Sequence, residues 1–260
     1  MLTAAVDGHL VFEPYNWNLN PEGSIYRLRY IPDQPSDWRF DEVLRERFRS
    51  LPADGRTVVI KEVMTVLATP YLHRRFGGAV VMLIRHPCAV ARSWHALGWH
   101  ASERIPLLLA QPAIVHDHLA PYVDHLIRAS DPWTQLGALW GAIHLVMRRQ
   151  FRADLGWQWI TYEWLCERPA QHAAHVATLA GCPVSEQDRE ALMRFVQQHD
   201  RRASQGETPF ETYRQTALQA DRWRGVLTPM QQSAVLAGVE PFGLIDCWNM
   251  QPENVRSLAG

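Results

Sequence analysis

Residues 79–94, AVVMLIRHPCAVARSW, constrain the fold more than any other stretch of this chain. Positions 79–84 carry no polar side chain, which predicts a short strand buried on both faces of a parallel sheet. Pro87 suits the first turn of a helix, because the N–H it lacks is one that a helix start leaves unpaired. A strand running straight into a helix directs the chain toward an α/β architecture. It also sets Arg85 at the carboxyl end of a strand, where open α/β sheets bind ligands, with Ser93 eight residues later on the helix. A guanidinium and a hydroxyl aimed at one point make an anion site. The alternative is an arginine that caps the helix and a serine in water.

The flanking segments extend the pattern. HLVFEP (9–14) predicts a short strand entering a turn, and 16–24 is loop by its Asn, Pro and Gly content. Residues 39–50 place Phe40, Val43, Leu44 and Phe48 on one helical face. After the Asp54-Gly55 turn, TVVIK (57–61) predicts a second buried strand and 64–76 a helix, so that 57–84 forms a βαβ unit. The helix from Pro87 ends at Leu97-Gly98-Trp99, and 101–150 is helical, with Asp131 as N-cap and Pro132 behind it. WQWITYEWL (157–165) suits a strand by its β-branched and aromatic residues. Helices follow at 167–181, closed by Gly181, at 185–199, opened by Ser185 and Asp188, and after Thr228.

Charge and cysteine usage narrow the function classes. With 26 Lys and Arg against 27 Asp and Glu, no general nucleic-acid or membrane-surface role is expected, so any anion site must be local. Cys88, Cys166, Cys182 and Cys247 are far apart and show no metal or redox spacing. His116, His118 and His125 lack the further ligands of a metal set, and no metal is expected. No segment reaches the length of a membrane span and the amino terminus does not read as a leader, so a soluble, cytoplasmic chain is expected.

Four segments taken in order resemble the sulfotransferases that use 3′-phosphoadenosine 5′-phosphosulfate (PAPS), nearer their carbohydrate-type and bacterial branches than the cytosolic one. The resemblance implies that Arg85 and Ser93 hold the 3′-phosphate of the nucleotide. In VVIKE (58–62) it implies that Lys61 stabilises the transferred sulfonate, and in ITYEWLCERP (160–169) that Tyr162, followed by Glu163, borders the adenine. In DRWRGVLTPMQ (221–231) it implies that Arg222, Trp223 and Arg224 supply positive charge and an aromatic lid. VFEPYNW (11–17) resembles the loop whose glutamate accepts the acceptor's proton, making Glu13 the base, while Val63 stands where the cytosolic branch carries histidine. Without the resemblance, Lys61 is a strand-end lysine reaching solvent and Glu13 a turn carboxylate bonded near Asn16. Tyr162 is then a sheet tyrosine, and Arg222–Arg224 a surface segment lying over the core.

The implied fold is α/β: a single-domain P-loop-NTPase-like parallel sheet flanked by helices, with residues 1–260 as one sulfotransferase-like domain. PAPS is the implied co-substrate, and the acceptor is a hydroxyl or amine of a sugar, lipid or small metabolite. Such an in-line transfer is served by charge stabilisation from a lysine and from backbone N–H groups at a helix start, plus a base. The family's first strand and Gly-rich 5′-phosphosulfate loop have no counterpart in MLTAAVDGHLV, nor at Pro52–Arg56 or Arg75–Gly78. An N-terminally truncated domain with weak or no transferase activity is therefore expected. The rival readings are a catalytically inactive nucleotide-binding relative and a P-loop nucleoside or sugar kinase. The lack of GxxxxGK[ST] disfavours the kinase.

Overall fold

A computed structural model describes residues 1–16, 28–32, 37–203, 220–245 and 247–248. The elements run α1 (Leu2–Ala5), β1 (His9–Phe12), α2 (Trp38–Arg49), β2 (Val58–Lys61), α3 (Thr69–Phe76), β3 (Val81–Ile84), α4 (Pro87–Ala96) and α5 (Ala101–Leu109). Short turns follow, α6 (Pro112–Ile114) and a π-helical Val115–Leu119 among them, then α7 (Val123–Arg128), α8 (Pro132–Gln150) and β4 (Gln158–Thr161). The chain continues with α9 (Tyr162–Glu167), α10 (Pro169–Leu179), α11 (Glu186–Ala203), a 3-10 turn (Arg222–Gly225) and α12 (Pro229–Val239). The fold is mixed α/β and mostly helical. No described helix is long and apolar enough to cross a membrane. The loop expected over 16–24 lies from residue 17 onward outside the described residues.

The strands form two parallel pairs. β1 pairs with β2, His9 opposite Val58 through Phe12 opposite Lys61, and β3 pairs with β4, Val81 opposite Gln158 through Ile84 opposite Thr161. This corrects the βαβ unit expected over 57–84: α3 joins β2 to β3, yet each of those strands hydrogen-bonds elsewhere. Burial corrects a second expectation. Met82 and Ile84 of β3 are buried, but Leu83 is 46% exposed, and on β2 Val58 and Ile60 are 38% and 39% exposed. An apolar run shows that a strand can be covered on both faces, and here β3 is covered on one face, while on β2 Val58 and Ile60 turn outward and Val59 on the other face is only partly covered. The third correction is at β4, which stops at Thr161 instead of running to residue 165. The Thr161 hydroxyl accepts the Trp164 N–H at 3.2 Å, and this N-cap turns the chain into α9.

The main core gathers around α8, whose residues from Leu136 to Met147 are buried. Its amino end has the expected cap, with Asp131 accepting the Thr134 N–H at 2.8 Å. α8 crosses α12 at backbone distance. A Cβ built on Gly137 would lie 2.0 Å from the Val235 carbonyl oxygen, and one on Gly238 would lie 2.2 Å from that of Thr134. Only glycine permits this approach. A second core holds Val11 of β1, Tyr15, Phe40 and Leu44 of α2, and Tyr71 of α3. Within it, buried Asp41 accepts from Tyr71 at 2.8 Å and from Arg75 at 2.8 and 2.7 Å. A third packs α1 on α9, α10 and α11 through Ala5, Leu165, Ala173, Ala177 and Leu192.

Candidate anion and nucleotide site

The register of β3 against β4 decides which side chains meet at the strand ends. Ile84 stands opposite Thr161, so Arg85 and Tyr162 leave the pair side by side, and the guanidinium lies 4.5 Å from the tyrosine ring centre. The backbone around Arg85 is held from two directions. Trp140 on α8 donates its indole N–H to the Arg85 carbonyl at 3.2 Å, and the His86 N–H donates to Glu163 Oε1 at 3.0 Å. Tyr162 and Glu163 thus engage Arg85 and His86 as adjacent pairs.

The amino end of α4 is saturated. His86 caps it by accepting the Cys88 N–H on Nδ1 at 3.2 Å, and the His86 carbonyl accepts from Ala89 and Val90 at 3.0 and 3.1 Å. Pro87 has no N–H to give, and His86 spends its own on Glu163. The backbone donors expected at a helix start are therefore committed here, and an anion at this point must be read by side chains. Ser93 stands on α4 about 9 Å of axial rise beyond Pro87. The ring and guanidinium contacts that gather Arg85 and Tyr162 do not extend to it.

The third contributor is the 3-10 turn. Trp223 stacks on the His86 ring at 4.2 Å and 18°, and Trp248 meets the same ring at 5.0 Å and 64°. Trp223 is only 4% exposed, so it forms part of the packed wall, not an open lid. Arg224 lies over Trp223 at 4.5 Å, pairs with Asp221 at 2.7 Å and faces solvent, while Arg222 is half-buried beside them. Burial pushes His86 down to about 4, helped by the charge of Arg224 and opposed by that of Asp221, so the ring is neutral at neutral pH. Burial raises the Tyr162 phenol and the Glu163 carboxyl. For Glu163 the His86 N–H and the Arg85 charge oppose that rise.

Glu13 and Lys61 come together at the carboxyl ends of the other pair, where Lys61 Nζ bonds Glu13 Oε1. The Glu13 N–H donates to the Lys61 carbonyl at 2.7 Å, and Lys61 Nζ lies 4.6 Å from the Phe12 ring centre. Glu13 is buried and sits at φ +42°, a left-handed conformation that an ordinary residue adopts at a cost. Asn16 donates to its second oxygen at 2.6 Å, as the turn-carboxylate reading requires. The two groups assigned to catalysis are thus each other's counter-ions.

The histidines of VHDHLAPYVDH take different partners: His116 and His118 in the π-helical segment meet Asp117 and Tyr30, and His125 on α7 meets the Gly238 carbonyl. A cleft of about 530 Å³ lies elsewhere, between α10 and α11, lined by Arg168, Ala170, Arg189, Met193 and Val196, and none of the residues named for the site borders it. No family model, curated protein or solved structure matches this chain. Sequence reasoning missed two parts of the site, the Trp140 bond to Arg85 and the central place of His86. Trp140 gives no local signal, because the contact depends on how α8 crosses the end of β3.

Proposed function

We propose that this chain binds the 3′-phosphoadenosine end of PAPS at Arg85 and Tyr162 and moves its sulfonyl group to a hydroxyl or amine of a sugar, lipid or small metabolite. One observation carries the reading: a guanidinium and an aromatic ring stand side by side at the carboxyl ends of two hydrogen-bonded parallel strands. That is where open α/β sheets receive ligands, and the pair offers a cation for a phosphate beside a flat surface for a base. Arg224 adds charge at the rim; Ser93, a full turn and more along α4, would contribute only if the phosphate spans that distance. The P-loop-like single sheet is part of this proposal. It is supported by the parallel sense of both strand pairs and by the unpaired edges that β2 and β3 keep among the described residues.

In the transfer, Lys61 would stabilise charge on the sulfonate oxygens while Glu13 takes the acceptor's proton. Their mutual ion pair favours a second reading, a nucleotide-binding protein without turnover, because substrate would have to part the two groups first. Titrating 3′,5′-adenosine bisphosphate and measuring PAPS turnover on one sample separates the readings. Binding with turnover supports the first and binding alone the second, while absence of binding refutes both. Arg85→Ala is expected to weaken the bisphosphate by roughly 1.5–3 kcal/mol, the worth of a hydrogen bond to a charged group.

A further inference from the structure

Glu163 is an unusual neighbour for an anion site. One carboxylate oxygen accepts the His86 N–H, while the other, Oε2, is buried and has no hydrogen-bond partner among the described residues. A buried carboxylate oxygen without a donor is costly, and protonation relieves that cost. Glu163 feels the Arg85 guanidinium from the end of β3, the His86 N–H at the start of α4 and Asp221 from the 3-10 turn, while Arg224 of that turn acts on the His86 ring and Cys166 of α9 on Tyr162. Among these, the charge of Arg85 favours the ionised form of Glu163 and that of Asp221 opposes it.

We propose that Glu163 couples anion binding at Arg85 to proton uptake: an anion seated on the guanidinium cancels a charge that favours the ionised carboxylate, and Glu163, with one buried oxygen lacking a donor among the described residues, takes up a proton from solvent. The inference rests on the reading of Arg85 as the anion site and goes beyond it. The sign follows from linkage. Glu163 holds its proton more tightly in the complex than in the free protein, so affinity rises as pH falls across the interval between its two pKa values and levels off on either side. His86 is the other candidate for the proton, since its ring lies in the same wall.

Inorganic sulfate is the probe, because it does not itself titrate over roughly pH 5–8, the range in which such side chains change charge. Calorimetric titration of the full chain in buffers of different ionisation enthalpy counts the protons taken up. The wild type is expected to take up protons with sulfate, at most one per site, its affinity changing by up to about tenfold per pH unit. Glu163→Gln keeps an oxygen for the His86 N–H, and is expected to bind sulfate with no proton uptake and no pH dependence. His86→Asn, which retains a cap for α4, is expected to keep the proton uptake of the wild type, whatever its effect on sulfate affinity. Equal uptake in the wild type and Glu163→Gln overturns the proposal, as does uptake lost only in His86→Asn. Sulfate binding that is absent, or unchanged by Arg85→Ala, overturns instead the reading of Arg85 on which the proposal rests.

Discussion

Replacing Gly137 by alanine adds one carbon at the point where α8 and α12 touch, and the structure sets its effect. The new Cβ would lie 2.0 Å from the Val235 carbonyl oxygen and 2.9 Å from its carbon, inside the 3.0 Å below which real contacts essentially never fall. The obstacle is backbone, which cannot rotate aside, so the helices must part by about 1 Å. Parting them also loosens the approach of Gly238 to Thr134, which belongs to the same crossing. Overpacking costs about 1–3 kcal/mol, and a gap of about 1 Å forfeits a quarter to a half of each dispersion contact. Helix propensity returns about 1 kcal/mol. With the backbone clash at the upper end of the overpacking range, the net expectation is about 2 kcal/mol of lost stability, read as a lower urea midpoint or a Tm reduced by roughly 4–8 °C. Gly225→Ala is the control, since its Cβ meets nothing within 4 Å, and it is expected to be neutral or slightly stabilising. A Gly137→Ala chain as stable as the wild type would refute the backbone contact.

Two further outcomes concern stability. His86 and His144 are both buried, with pKa values lowered to about 4 by desolvation. Unfolding lets them take up protons near 6.5, so their contribution is complete above pH 6.5 and is lost as pH falls toward 4, at most about 3 kcal/mol each. Denaturant melts across that interval should become flatter in His144→Gln, and an unchanged slope would count against the buried neutral imidazole. Asp41→Ala removes the partner of the Tyr71 hydroxyl and of the partly exposed Arg75 and should cost roughly 1.5–3 kcal/mol, the worth of hydrogen bonds to a charged group, with part recovered in Asp41→Leu combined with Arg75→Met. Thermal unfolding of the single and double variants checks this, and equal losses in both would contradict it.

What was legible in the sequence was local chemistry. Asp131, Ser185 and Thr228 cap the helices they were expected to cap, because an N-cap depends on a side chain and the N–H two or three residues on. The buried face of α2 followed from periodicity in the same way, with Phe40, Val43 and Leu44 turned inward. Strand starts were also legible, but strand partners were not. Val58 and Ile60 have the composition of an interior strand and yet lie partly open, since cover is supplied by elements distant in the chain. At residue 161 a threonine with good β-propensity serves as a cap instead, and one hydroxyl bond outweighs the aromatic run after it. At the site, Arg85 and Tyr162 were read one by one, and only the register of β3 with β4 shows that they meet. The place of His86 is not legible locally, because Trp223 and Trp248, which pack on its ring, come from segments more than a hundred residues away.

The openness of β2 bears on how the protein behaves in concentrated solution. A strand with apolar side chains on both faces and, among the described residues, one unbonded edge is a template for pairing with another chain, and proteins commonly guard such edges with lysine. The one charged side chain in β2 is Lys61, and its ammonium is tied to Glu13. The residue that would keep neighbouring molecules apart is therefore already engaged, and colloidal stability rests on whatever comes to lie along Val58 and Ile60.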